Sequence, residues 1–443
     1  MTIELSNFAA RLREFISFSG PVAADVRRLK FQEPRTGTPD PNQSEPPHVG
    51  CYENEFNTLA LELFALQFKH NAAYRKICEA RLPRRSEAKA GGLSPGIVEH
   101  WTQIPAVPTA AFKELELTCL APGERTAVFH SSGTTEQKPS RHFHNAESLA
   151  VYEASLLAGF RPHLFTDKLK LELQPSAAPA GVQASACGCG YKDFGLVILT
   201  PPAAQAPHSS LVHMFETVRR KLGGAETAFA GRLAADGSWT LDFAAAADLL
   251  SPRRSRNAGP DARPLLLLGT AFSFVHLLDF LTENNIRFQL PAGSQIMETG
   301  GYKNRSRSMP KTELHRFITE KLGIPSSRII CEYGMSELSS QAYDGVASDG
   351  WRVTGKESAP RHPSLDTRHF CFPPWARVQI ISPETGREVA DGETGLIRVF
   401  DLANVFSVMA IQTEDLGVRH GDGFELIGRA EWAEARGCSL MAV

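Results

Sequence analysis

Apolar positions at three- and four-residue intervals dominate the start of the chain. In MTIELSNFAARLREFISFSG, Phe8, Leu12, Phe15 and Ile16 fall on one side of a helix, and Phe56–Arg81 repeats the spacing until a Leu-Pro break. The spacing predicts a surface helix and then one long helix, together forming a helical N-terminal region over residues 1–98. Between them, the polar, proline-rich Gln32–His48 predicts an exposed loop. Ile104–Phe112 reads as an extended, proline-bounded segment.

From about Gln103 the pattern changes to short apolar runs separated by helical spacing. Strands are predicted at Gly195–Leu199, Pro264–Leu268, Gln295–Glu298 and Arg328–Tyr333. Helices are predicted at Ala146–Ala158, Ser210–Leu222, Phe272–Glu283 and Lys311–Leu322. Strands alternating with helices imply an α/β core, residues 99–374, built on a helix-covered, mainly parallel sheet. After Pro374 the texture shifts to ARVQIIS, GLIRVF and FELIGR with Gly and Asp turns, predicting a small β-rich subdomain over 375–443.

One stretch breaks this regularity. In Val128–Arg141, VFHSSGTTEQKPSR, an apolar run gives way to small hydroxyl residues around a glycine. Ser131, Ser132, Thr134 and Thr135 offer hydroxyl donors, and Gly133 lets backbone amides approach an anion closely. A following amphipathic helix would add its positive end. Lys138 and Arg141 add charge nearby. An ordinary Ser/Thr loop has the same composition, so the phosphate reading depends on partners elsewhere.

Composition narrows those partners. The 443 residues carry a net charge of -2 with both signs interspersed, which argues against nucleic acid and against an anionic membrane surface. No run of about eighteen apolar residues occurs, so no transmembrane span is expected, and the N-terminus lacks the pattern of a signal peptide. Eight cysteines without framework spacing suit a reducing cytoplasm.

Three later segments supply partners for the loop. EYGMSE (Glu332–Glu337) follows an apolar run, at the strand end where open α/β sheets place ligands. There Tyr333 can stack on a base, Ser336 can bond a phosphate and Glu337 can hold a hard cation; a capped strand-to-helix turn is the plain alternative. TEDLG (Thr413–Gly417) reads as an acidic turn in which Asp415 can accept from two ribose hydroxyls. In Gly428–Arg429 the arginine can reach the same ribose or a phosphate, or simply face solvent.

The order SSGTT, ETGGYK, YGMSE, TEDLG and GR resembles the motif series of the adenylate-forming enzymes, the acyl- and aryl-CoA ligase superfamily. FNTLALELFALQFKHNAAYRKIC, IPAVPTAAFK, PHSSLVHMF and RGCSL are similar to the acyl-protein synthetase branch, which includes the synthetase subunit of the bacterial luminescence fatty-acid reductase. The resemblance implies the adenylate-forming N-terminal-domain fold and two cofactors, ATP and Mg2+. It also implies a set of roles. Ser131, Ser132, Gly133, Thr134 and Thr135 hold the β- and γ-phosphates, and Gly300, Gly301 and Tyr333 flank adenine next to Gly334. Ser336 touches the α-phosphate, Glu337 binds magnesium, and Asp415 and Arg429 hold the ribose.

Two departures shape the expected chemistry. The loop continues Glu136, Gln137, Lys138, Pro139, Ser140, so its usual lysine is absent or displaced. The sequence ends fourteen residues after Arg429, which implies that the superfamily's mobile C-terminal domain and its catalytic lysine are lacking. Lys303, Arg305 or Arg307 of GYKNRSR then becomes the candidate catalytic cation, with a solvated basic turn as the alternative. Cys438 in RGCSL is the acyl acceptor that the resemblance suggests, with Arg436 placed to lower its pKa.

Other residues read more plainly. Cys187 and Cys189 are too closely spaced for an ordinary zinc pair. His130, His142 and His144 flank the loop and border the acyl or phosphate pocket by likeness, or serve as structural histidines. Phe272, Phe274, His276 and Leu199–Pro202 line the acyl pocket by the same likeness. The expected activity is ATP-dependent formation of an acyl-adenylate from a fatty or aryl acid. Transfer to Cys438 and on to a reductase or carrier follows. An acyl/aryl-CoA ligase and a nucleotide-binding protein without turnover are the alternatives.

Overall fold

Asn71 interrupts the long helix that the spacing predicts. The computed structural model describes residues 2–19, 49–81, 98–131, 138–164, 194–223, 227–251, 263–300, 309–344 and 368–430. Helix α1 (Ile3–Ser19) forms as expected, but the segment ending at Arg81 splits into α2 (Val49–His70) and α3 (Ala72–Arg81). The Asn71 side-chain oxygen accepts the Tyr74 amide at 3.0 Å and caps α3, and its amide nitrogen donates to the Ser407 carbonyl. Counting apolar spacing cannot reveal such a cap. The Gln32–His48 segment lies outside the described residues.

The chain forms two compact units. The first takes the described residues from 2 to 159, 334 to 344 and 368 to 430; the second takes those from 160 to 333. Past α3, the first unit continues with β1 (Val107–Pro108), the single-turn α4 (Ala111–Glu114), β2 (Ala127–His130), β3 (Arg141–His144) and α5 (Ala146–Phe160). β2 and β3 pair antiparallel, Ala127 opposite His144 and His130 opposite Arg141. The element after the hydroxyl-rich loop is therefore a strand. The following helix starts at Ala146, where its spacing places it, so its N-terminus does not follow the loop directly. Arg141–His144 alternates exposure in the two-residue period of a paired strand.

The second unit carries β4 (Gly195–Ile198), α6 (Ser210–Leu222), β5 (Thr227–Phe229), β6 (Gly231–Leu233), β7 (Trp239–Leu241) and α7 (Phe243–Leu250). It continues with β8 (Leu265–Thr270), α8 (Ala271–Glu283), β9 (Gln295–Thr299), α9 (Lys311–Leu322) and β10 (Ile329–Tyr333). Strands β10, β9, β8, β4 and β5 lie side by side in that order, all parallel. All four residues of β4 and all five of β9 and of β10 are buried, the uniform burial of a sheet covered on both faces. Leu267, Ile296 and Ile329 from the sheet pack with Phe274 and Leu278 of α8 and Leu314 and Ile318 of α9 in one apolar core. Each such side chain contributes about 2 kcal/mol on burial. The hairpin β6–β7 and helix α7 escape the sequence reading, because three-residue strands carry too little pattern and FAAAADLL has no polar face. Asp242 caps α7 by accepting the Ala245 amide.

The first unit resumes with β11 (Ala342–Tyr343), then β12 (Ala376–Ile381), β13 (Thr394–Asp401), β14 (Ala410–His420) and β15 (Gly423–Arg429). β14 is the centre of this β-rich sheet. β13 pairs along one edge, and β1 and β15 share the other, β1 parallel beside Ile411 and Gln412 and β15 antiparallel beyond them. TEDLG therefore lies inside a strand and is not a turn. The polar Thr413, Glu414 and Asp415 hide the strand from an alternation count.

Candidate active site

Ser131 closes strand β2, and its hydroxyl accepts the backbone amide of Ser140 at 2.9 Å, so the two ends of the hydroxyl-rich loop are tied together. Ser140 is buried, and its own hydroxyl oxygen lies 3.5 Å from that of Ser336. Ser336 follows β10 in the turn that the sequence places at a sheet edge, and it donates to the Glu337 carboxylate at 2.9 Å. Two residues past Ser140, Nδ1 of His142 donates to the Ser336 carbonyl at 2.9 Å. The structure thus brings Ser131, Ser336 and Glu337 into one hydrogen-bonded cluster. Lys138 forms an exposed ion pair with Glu114, and Arg141 faces Glu116 at 3.5 Å.

Burial sets the electrostatics of this cluster. Burial drives His142 down to about 4, although the Ser336 carbonyl and the Glu337 charge both pull the other way. At neutral pH the imidazole is uncharged, so it holds the Ser336 carbonyl without placing positive charge beside Glu337. The Glu337 carboxylate, in a residue only 1% exposed, and the adjacent Ser336 hydroxyl are hard oxygen donors. Such a pair suits a hard divalent cation that keeps part of its hydration and its phosphate ligands.

Sequence reasoning missed the residues that fix this turn. Asp401, fully buried at the end of β13, accepts from the amides of Ser339, Ser340 and Ala403 and from the Ser340 hydroxyl, at 2.6 to 2.9 Å. Burial pushes its carboxyl above the usual range against those bonds. Asn404 donates to the Glu337 carbonyl at 2.9 Å. Gln67 of α2, also fully buried, donates to the Asn404 carbonyl and accepts from the Met409 amide. The available signal was a polar residue inside an apolar run, RVFDLANVF and ALQFK, which a packed core tolerates only with its bonds satisfied.

A second cluster sits on the β14–β15 ladder of the same unit. Asp415 and Arg429 are register partners, and the Arg429 Nε lies 3.6 Å from the Asp415 carboxylate while its guanidinium also pairs with Glu414. Leu416 pairs with Gly428 and Gly417 with Leu426, so Ile427 is an extra, outward residue. This bulge needs Gly428 at φ 146°, a backbone state closed to side chains, and it brings Arg429 back opposite Asp415. The side chains of Asp415 and Arg429 remain about a quarter exposed, open to a ligand.

Two further expected residues belong to the second unit. Gly300, directly after β9, has φ 74°, which explains the glycine by its left-handed turn. Tyr333, the last residue of β10, is buried; Gly334 begins the next stretch of the first unit. Phe272, Phe274 and Leu199 pack in the apolar core, and Phe272 meets the His276 ring edge-on at 4.2 Å. Ser132, Gly133, Thr134, Thr135, Gly301, Lys303, Arg305, Arg307, Cys187, Cys189 and Cys438 lie outside the described residues.

Residues 142–442 match the family model described as acyl-protein synthetase, LuxE, a span that takes in His142, Ser336, Glu337, Asp415 and Arg429 and begins just after Ser131 and Ser140. The chain belongs to this family. Among curated relatives, the long-chain-fatty-acid–luciferin-component ligase of Vibrio harveyi is 21% identical over 85% of this chain and 84% of its own length. The ligase of the same name from Aliivibrio fischeri is 26% identical over 42% of this chain and 46% of its own length, so this chain spans under half of that relative. Among solved structures, 2-hydroxyisobutyryl-CoA ligase, in an open conformation with 2-HIB-AMP and CoA, matches with TM-score 0.56 at 12% identity. That match covers 91% of this chain and 77% of the ligase, and it shows a shared α/β fold. Among the described residues no helix is long and apolar enough to cross a membrane.

Proposed function

We propose that this acyl-protein synthetase family member activates a fatty or aryl carboxylic acid with ATP and passes the acyl group to a thiol. The observation that carries this reading is the convergence of Ser131, Ser336 and Glu337 on one hydrogen-bonded cluster within a chain that matches the family over residues 142–442.

In the first step a carboxylate oxygen of the acid attacks the α-phosphorus of ATP. The bond from that phosphorus to the bridging oxygen breaks, and pyrophosphate leaves with the electron pair. Charge repulsion is the obstacle, so positioned donors and cations supply most of the catalysis. Ser131, with Ser132, Gly133, Thr134 and Thr135, holds the outer phosphates in this reading, and Ser336 faces the α-phosphate. Glu337 would hold magnesium, which when bound neutralises charge on the phosphate oxygens. The neutral imidazole of His142, the bond that Asn404 donates and those that Asp401 accepts keep that turn in place. Asp415 and Arg429 hold the ribose, Gly300, Gly301, Tyr333 and Gly334 flank the base, and Lys303, Arg305 or Arg307 supplies the remaining cation.

In the second step the Cys438 thiolate attacks the acyl carbonyl and AMP leaves, giving a thioester on the chain. A partner such as a reductase or carrier, in the cytoplasm, then takes the acyl group. The test is acyl labelling. The protein with ATP and a radiolabelled acid is expected to retain label that hydroxylamine releases, and Cys438→Ser to lose it while still exchanging pyrophosphate. Label of wild-type stoichiometry on Cys438→Ser would refute the acceptor.

A further inference from the structure

Glu298 and Cys331 occupy paired register positions on the adjacent parallel strands β9 and β10, so their side chains leave the sheet side by side on one face. His315 of α9 completes the group. The Cys331 thiol donates to the Glu298 carboxylate at 2.7 Å, and the His315 Nε2 lies 3.6 Å from the Cys331 sulfur and 3.6 Å from the same carboxylate. All three residues are buried, at 5%, 2% and 7% exposure, among the apolar side chains of Ile296, Ile329, Leu314 and Ile318. The proposed activation chemistry gives none of the three a role.

We infer that Glu298, His315 and Cys331 form a binding site for one divalent transition-metal ion, zinc by its donor set. The sulfur, nitrogen and oxygen atoms all lie within 4.8 Å of one another. A tetrahedral ion with bonds of about 2.0–2.3 Å holds its ligand atoms roughly 3.3–3.8 Å apart. Two edges of this triangle already have that length. The third, the thiol-to-carboxylate bond, lengthens when the metal replaces its proton. A thiolate and an imidazole select a borderline ion over magnesium or calcium, whose ligands are all oxygen.

The exchange balances simply. The thiol gives its proton to solvent, its sulfur lone pair takes the metal, and the neutral imidazole binds through Nε2 while keeping its proton on Nδ1. The second Glu298 oxygen or a water fills the remaining position. A divalent charge also offsets the local excess of acid, since Glu332 occupies the next register position on β10, opposite Thr299. Bound metal would clamp β9, β10 and α9, and with them the strand ends that carry Gly300 and Tyr333.

Cobalt titration of the chelator-stripped full chain tests this. The expected result is a thiolate-to-cobalt charge-transfer band that saturates at one equivalent per chain and is displaced by zinc. The band should vanish in Cys331→Ser, need about tenfold more cobalt in His315→Gln, and persist in Cys438→Ser and in the Cys187→Ser/Cys189→Ser double variant. Zinc should raise the melting temperature of the wild-type chain and leave that of Cys331→Ser unmoved. No saturable band in the wild-type chain, or a band that survives Cys331→Ser, overturns the site. A zinc-induced stabilisation equal in wild type and in His315→Gln overturns it as well, whatever the folding of the cysteine variant.

Discussion

The imidazole of His142 donates to the backbone carbonyl of Ser336 at 2.9 Å, joining the strand after the hydroxyl-rich loop to the turn that carries Glu337. Burial holds that imidazole down to about 4, against an ordinary value of 6.5. The unfolded chain therefore binds a proton that the folded chain refuses across this window. Stability is fully present above pH 6.5 and is lost as the pH falls toward 4. Complete loss amounts to roughly 3 kcal/mol. Urea midpoints of the wild-type chain minus those of His142→Asn should fall across that window and stay flat above it. A difference that does not change with pH would mean that His142 titrates normally.

Glu332 shows the opposite trend. Burial, reinforced by the charge of Glu298, pushes its carboxyl from 4.5 up to about 7, against the bond that the Thr299 hydroxyl donates to it. Between these values the folded chain binds the extra proton, so this residue favours folding below pH 4.5 and costs stability as the pH rises toward 7. The loss is again roughly 3 kcal/mol. Glu332→Gln should match or fall below the wild-type chain at pH 4.5 and gain on it steadily up to pH 7. Parallel unfolding curves for the two proteins would contradict this.

At Gly428 the backbone takes φ 146° to form the bulge that sets Arg429 opposite Asp415. A side chain there strains the bulge and turns the arginine away. Gly428→Val is expected to raise the KM for ATP by about tenfold, near 1.4 kcal/mol, with a smaller change in kcat. Arg429→Ala should give a KM effect of similar size, and the double variant little more than either, because both changes act through one guanidinium. Additive losses would show that the bulge serves something other than Arg429.

Much of the fold was legible before any coordinates, and the reason is periodicity. Gly195–Ile198, Leu265–Leu268 and Ile329–Cys331 are short apolar runs, and the helical spacing of α6, α8 and α9 alternates with them, so their order points to a parallel sheet. Asn71 and β14 show where that reading stops. A side-chain cap splits a helix with unbroken apolar spacing, and TEDLG pairs as a strand although its polar residues break the alternation. Of the site, Ser131, Ser336 and Glu337 were visible as motif residues. Gln67, Asp401 and Asn404 were not, because their role is to satisfy backbone groups distant in sequence. The Glu298, His315 and Cys331 cluster was hidden for the same reason: strand register and a covering helix bring together residues that no local spacing connects.

If Glu337, held in this cluster, serves phosphate chemistry on ATP, adenylation depends on its carboxylate. Acid-dependent ATP–pyrophosphate exchange, measured over a panel of aliphatic and aromatic carboxylic acids for the wild-type chain and Glu337→Gln, tests it most directly. Exchange is expected with at least one acid, together with a loss of about a hundredfold or more in Glu337→Gln, near 2.7 kcal/mol of transition-state stabilisation. Exchange with no acid, or a Glu337→Gln variant that exchanges at the wild-type rate, would contradict it.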